Sequence, residues 1–152
     1  MTIKYNNVFI EDAYTICGNY ENDGPLSKYF DKKYEKDLYF GEKSWEQAEV
    51  HLLKEANTNI LKKNKLKEED IDLLISGDLQ NQIAASNYMA REFNIPFLGI
   101  FEACSTSGEG LAIGSTYIEG GFAQRILVST SSHNMAAEKQ FRNPTEYGTP
   151  KP

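Results

Sequence analysis

Three short apolar runs, spaced by segments of helical length, constrain this chain more than any other feature. They are Ile71-Asp72-Leu73-Leu74-Ile75, Phe97-Leu98-Gly99-Ile100-Phe101 and Ile126-Leu127-Val128. The near-continuous apolar character of the first suits a strand of a parallel sheet covered on both faces. Helix signals fill the intervals. Ser44 and Gln47 have capping-box spacing, and Trp45, Ala48, Leu52, Ala56 and Ile60 follow as an apolar stripe, with Lys62 and Lys63 complementing the dipole of the last turn. A second helix is expected from about Gln82 to Phe93, with Ile83, Tyr88 and Phe93 inward and Pro96 stopping it. A third is expected from Ser105 to Gly120, ending at Gly120-Gly121, and a short one from Asn134 to Phe141.

Val8 to Cys17 reads as a further strand, and Arg125 to Ser131 as the last. The expected order is therefore β-α-β-α-β-α-β, which means a parallel sheet with helices on both faces and right-handed crossovers. Between the first strand and the Ser44 helix runs a polar stretch rich in rings: Tyr20, Tyr29, Phe30, Tyr34, Tyr39 and Phe40, with a turn at Gly24-Pro25. It reads as an aromatic flap over a core edge or as a ligand lid. His51 falls off the apolar stripe and reads as a surface residue. The tail from Asn143 to Pro152 has no periodicity.

Size and charge narrow the functional classes. A chain of 152 residues holds one ordinary domain. A net charge of −6 provides no basic field for nucleic acid or anionic lipid. No apolar run approaches the ~18 residues a membrane span needs, and the polar N-terminus lacks the core of a signal peptide. Cys17 and Cys104, far apart in sequence, make no disulfide framework, and with only His51 and His133 they make no zinc site. A reduced, cytosolic setting is expected.

In such sheets ligands bind at the carboxyl ends of strands. Those ends are Ser76-Gly77-Asp78, Glu102-Ala103-Cys104 and Thr130-Ser131-Ser132-His133. Glu102-Ala103-Cys104-Ser105-Thr106-Ser107-Gly108 carries the strongest chemical signal. A thiol at this turn faces a helix N-terminus, whose amides and dipole make the sulfur nucleophilic and can hold a carboxylate or an oxyanion. The bland alternative is a small buried hydrophobe. Gly108, Gly110, Ala112, Gly114 and Ser115 suit a helix that another backbone approaches closely.

Strand, then Glu102-Ala103-Cys104-Ser105, then a small-residue helix resembles the nucleophile turn of the thiolase superfamily, in particular its ketoacyl-synthase III branch, which Glu69-Asp70-Ile71-Asp72-Leu73-Leu74-Ile75 also resembles. Four segments are more similar to the stage V sporulation protein AD family, the dipicolinic-acid-binding members of the spore SpoVA group. They are Gly24-Pro25-Leu26, Leu38 to Glu49 (reading LYFGEKSWEQAE), Gly77 to Gln82 (GDLQNQ) and Ala103 to Ser107 (ACSTS). The resemblance implies a thiolase-like three-layer α/β/α sandwich with a mostly parallel sheet. Because such proteins have two similar halves, residues 1–152 are expected to be the N-terminal half only, incomplete and ending before the last strand of that half. The partner histidine or asparagine of the synthase III branch belongs to the other half.

Two functions follow from the resemblance. The first is binding of dipicolinic acid, free or as its calcium chelate, serving uptake into the developing spore together with other SpoVA proteins. Ligand-binding candidates are then Cys104, Ser105, Thr106, Asp78, Asn81, His133 and Arg142. Asp78 also reads as helping through a bridging calcium or as a cap of the second helix, His133 as a satisfied loop histidine and Arg142 as a surface salt bridge. The alternative is a ketoacyl-synthase III-like acyltransferase with Cys104 as catalytic nucleophile. Neither reading implies a cofactor or a protein-bound metal. A homo-oligomer is expected, located in the cytoplasm or peripherally at the spore inner membrane. A weaker reading makes the glycine helix the seam of a purely structural interface.

Overall fold

The computed structural model describes residues 2–142, apart from the side chain of Arg142, so the expectation for the tail from Asn143 lies outside the described residues. A three-stranded parallel sheet forms the centre. Strand β3 (Leu73–Gly77) lies between β4 (Phe97–Gly99) and β5 (Ile126–Thr130). Leu74 pairs with Phe97 on one side and Leu127 on the other. After β3 the chain first steps to β4 and then crosses back to β5, which makes the carboxyl end of β3 a switch point where a crevice opens.

Alternation along the strands sorts the two faces. Leu74 joins Leu53, Leu61, Ile71, Met89 and Ile95 in the core, with Leu127 packed against it. This face is covered by α2 (Trp45–Lys63) and α3 (Ala84–Ala90), and α5 (Asn134–Arg142) packs on α2. Ile75, Ile126 and Val128 face the other way and meet α4 (Thr106–Glu119) through Gly110 and Gly114. The three layers are thus helices, sheet, helix.

Ser44 caps α2 as expected, its Oγ accepting the Gln47 amide at 3.2 Å. The apolar stripe is displaced, however. Fully buried positions on α2 are Ala48, Glu49, Leu53, Asn57 and Leu61. Leu52, Ala56 and Ile60 instead line an open groove of about 600 Å³ beside β5, so the helix carries two adjacent apolar strips.

The expected first strand is the largest correction. Only Ile16–Cys17 (β1) is a strand, and it pairs in parallel with Lys32–Lys33 (β2), outside the main sheet. Val8 to Ile16 forms the far wall of the groove, and before Thr15 it is held by side chains rather than a backbone ladder. Glu11 grips Arg125 at 2.8 and 3.1 Å, and Asp12 bonds Lys63 at 2.9 Å and Asn64 at 3.0 Å. Acidic residues in the middle of the apolar pattern explain the change, because they reach for the cations at the ends of β5 and α2. Among the described residues the outer edge of β5 pairs with no strand.

Two smaller corrections concern helices. The second is shorter than expected. After a 3₁₀ turn, Asn81–Ile83, it buries Ala85, Ser86 and Met89, while Tyr88 points outward. Gln82 and Ile83 sit at φ 58° and 48°, which breaks the helical run and turns Ile83 towards Gly99. The ring-rich stretch is also ordered: it holds α1 (Asn19–Asn22), a 3₁₀ turn and β2. Phe40 is its buried ring, packed on Tyr34 and edge-on to His133. Tyr34 donates to Glu55 at 2.8 Å, and Lys32 pairs with the same carboxylate. His51 is half-buried and bonds Tyr34 and Glu42, so it is not a free surface residue.

An apolar groove beside an unpaired strand edge favours association. We expect the 152-residue chain to form dimers or larger species at micromolar concentration. Light scattering checks this, and a monomer independent of concentration would count against it.

Candidate functional site

The strand ends converge as the parallel order requires. A Cβ at Gly77 would lie 2.3 Å from the Ile100 carbonyl oxygen and 2.5 Å from Thr106 Cγ2, so the ends of β3 and β4 and the start of α4 are in direct contact. The Ser131 amide donates to the Gly77 carbonyl at 3.4 Å, which brings in the end of β5.

Cys104 sits in a 3₁₀ turn, Ala103–Ser105, between β4 and α4, and is free and exposed. Ala103 takes φ 47°, a left-handed conformation costing an alanine on the order of 1–2 kcal/mol. The surrounding bonds hold it there. Glu102 N donates to Thr106 Oγ1 at 3.1 Å, and Thr106 Oγ1 donates to the Ala103 carbonyl at 2.8 Å. Ser105 N and Oγ both donate to the Glu102 carbonyl, at 3.0 and 2.8 Å. Ser105 is the N-cap residue of α4, yet its hydroxyl makes no cap bond. The 3₁₀ turn runs directly into α4, and the Thr106 amide donates to the Ala103 carbonyl, so the turn and the helix form one continuous element that carries the exposed thiol.

The other candidates divide by accessibility. Thr106 is buried with its hydroxyl engaged on both sides, so its role lies inside the turn. Asp78 is buried, and its two oxygens accept the amides of Gln80 at 2.8 Å and Ser86 at 2.7 Å, which is a cap on the second helix. Asn81 is exposed, its amide held by Gln140 of α5 at 2.6 Å. His133 is buried. Its Nε2 lies 2.8 Å from the Leu38 carbonyl and its Nδ1 accepts the Ala136 amide at 3.4 Å, so both ring nitrogens are engaged. Arg142 closes α5, and its side chain lies outside the described residues. Cys104 and Ser105 are therefore the candidates that face solvent together at the turn. Among the described residues no three His, Cys, Asp or Glu side chains gather as a metal site, and no helix is long and apolar enough to cross a membrane.

Sequence reasoning missed Glu49. It lies one turn into α2 with no exposed surface. Its Oε1 accepts from Ser131 Oγ and its Oε2 from Gln80 Nε2, both at 2.9 Å. Burial pushes its carboxyl above the usual range, with nearby Asp78 adding to the effect, against the lowering influence of Gln80, Ser131 and His133. The only signal available was its place at the end of the LYFGEKSWEQAE segment, where a glutamate looks like ordinary helix surface.

A carboxyl with a raised folded pKa contributes stability that is present below its unfolded value and lost as pH rises through the folded one. The Glu49→Gln variant keeps the acceptor for Gln80 and removes that loss. Its stability relative to the parent should therefore increase as pH rises above the ordinary carboxylate range. Urea unfolding of both proteins over that rise in pH checks the sign, and a constant difference would refute it.

Among the described residues, helices cover both faces of a parallel sheet and a cysteine turn opens the helix of one face, an arrangement of the thiolase-like fold class. A solved structure of 3-oxoacyl-[acyl-carrier-protein] synthase III from Aquifex aeolicus VF5 shares this fold, with a TM-score of 0.50 and 22% identity, over 55% of this chain and 29% of that one. Within the class, the chain belongs to the stage V sporulation protein AD (SpoVAD) family, whose sequence profile matches residues 1–152. Stage V sporulation protein AD of Bacillus subtilis (strain 168) is 52% identical over 145 residues, which are 95% of this chain and 43% of that protein. The chain thus spans less than half the length of this relative.

Proposed function

We propose that this chain acts in spore formation as part of a dipicolinic-acid-binding protein of the SpoVA group, the ligand entering as its calcium chelate. The observation that carries the reading is the exposed Cys104 and Ser105 on the turn that leads into α4, in a chain of the SpoVAD family. A small flat dianion suits backbone amides and a hydroxyl. Glu102 and Glu109 flank the same turn and oppose a bare dianion, which is why the calcium form fits better. Both nitrogens of His133 are engaged, so His133 ties the β5 loop to the flap and to α5.

The exposed thiol on a strained turn keeps an acyltransferase reading as the alternative. Calorimetric titration of the intact protein with dipicolinate, with and without calcium, tests the binding reading. Mass analysis after incubation with an acyl-thioester tests the other. Saturable binding without an adduct on Cys104 is expected. An adduct that turns over, without dipicolinate binding, would overturn the proposal.

A further inference from the structure

We propose that Glu49 is a positioning residue of the candidate site, pinning the loops that leave β3 and β5 and, through Ile83 seated on Gly99, the end of the strand that leads into the Cys104 turn. The inference rests on the dipicolinate reading above for its ligand readout alone.

The argument begins with placement. Glu49 lies on α2 among Ala48, Leu53 and other buried positions, where an apolar side chain is the stable default. A carboxyl there needs a reason, and its two bonds supply one. One oxygen holds Ser131, the first residue after β5; the other holds Gln80, three residues after β3. One rigid group thus spans the two loops that flank the switch point.

Each loop carries the tie further. Gln80 is buried, and its amide is fixed by Asp78, whose other oxygen fixes Ser86. The next residues, Gln82 and Ile83, are left-handed, and Ile83 seats against Gly99 at the end of β4, a few residues before Cys104. Ser131 leads to His133, which holds the Leu38 carbonyl of the aromatic flap and caps α5. Around this centre Lys139 of α5 pairs with Glu46 at 2.6 Å, and Gln80 Nε2 lies 3.5 Å from the Glu46 carbonyl. The loops that leave β3 and β5 are each bonded directly to Glu49, while the Cys104 turn is approached through the contact of Ile83 with Gly99.

The test uses Glu49→Ala and the near-isosteric Glu49→Gln in the intact protein. Gln retains an acceptor for Gln80 and offers its amide to Ser131 Oγ, which can accept. Calorimetry with calcium dipicolinate should show at least about a tenfold weaker affinity for Ala and a value within about twofold of the parent for Gln. Amide hydrogen exchange in segments 78–83 and 129–133 should speed up in Ala and stay unchanged in Gln. Parental affinity in Ala, or equal loss in Ala and Gln, overturns the proposal. If the parent binds no dipicolinate, the functional reading fails by itself, and exchange then decides: unchanged protection in Ala overturns the positioning role. If Ala does not fold, Ser131→Ala and Gln80→Leu each remove one arm, and parental affinity in both overturns it.

Discussion

Replacing Gly77 with alanine should destabilise this chain by about 3 kcal/mol, the upper end of what overpacking a core costs. Gly77 is the last residue of the central strand, and an added methyl would meet the Ile100 carbonyl oxygen at 2.3 Å. That atom is backbone and cannot rotate away. On its other side stands Thr106 Cγ2 at 2.5 Å, fixed by both bonds of its hydroxyl. Relief requires β4 or the start of α4 to move, and that motion would disturb the Cys104 turn as well. Gly108→Ala is the comparison. It is exposed on α4 with nothing within 4 Å of the new methyl, so the helix-propensity gain of up to about 1 kcal/mol is unopposed. Gly110→Ala should fall between the two, because its contact is the end of the Val128 side chain at 2.6 Å. Urea unfolding of the three variants ranks them. A Gly77→Ala protein as stable as Gly108→Ala would refute the close approach of strand and helix.

The same glycines show what the sequence could reveal. Their clustering after Cys104 marks a helix approached closely, and the approaching element at Gly110 and Gly114 is the helix's own sheet, through Val128, Ile126 and Ile75. The apolar runs at Leu73, Phe97 and Ile126 were legible as parallel strands because continuous apolar character is what a doubly covered strand requires. Val8 to Cys17 misled for a local reason. Its apolar positions make a strand pattern, but Glu11 and Asp12 find cations across space, and long-range ion pairs leave no trace in periodicity. Glu49 was illegible for the complementary reason: a glutamate on an early helical turn looks solvated until the fold places Gln80 and Ser131 against it. The turn chemistry at Cys104 could be read because it is local. The closure of His133 could not, since it depends on a bond to distant Leu38.

Substitutions at Cys104 separate binding from catalysis most sharply. The turn is built from bonds of Glu102, Ser105 and Thr106, none of which involves the sulfur. Cys104→Ala should therefore preserve the backbone, including the left-handed Ala103 and the junction of the 3₁₀ turn with α4. In a binding protein the amides remain available, and dipicolinate affinity in the intact protein should fall by no more than about threefold, since a thiol is a weak donor. Cys104→Leu keeps the same backbone but adds bulk where the ligand approaches, and should weaken binding by at least about tenfold, or 1.4 kcal/mol. An acyltransferase behaves in the opposite order. Its turnover would vanish in the Ala variant, because the remaining hydroxyl of the turn, Ser105, is tied to the Glu102 carbonyl with no base beside it, and size would hardly matter. Dissociation constants for both variants, measured beside a thioester-turnover assay, distinguish the cases. The binding reading fails if the unmodified protein turns over thioester and Ala abolishes it. It is supported if affinity follows side-chain size at position 104 while no variant turns over.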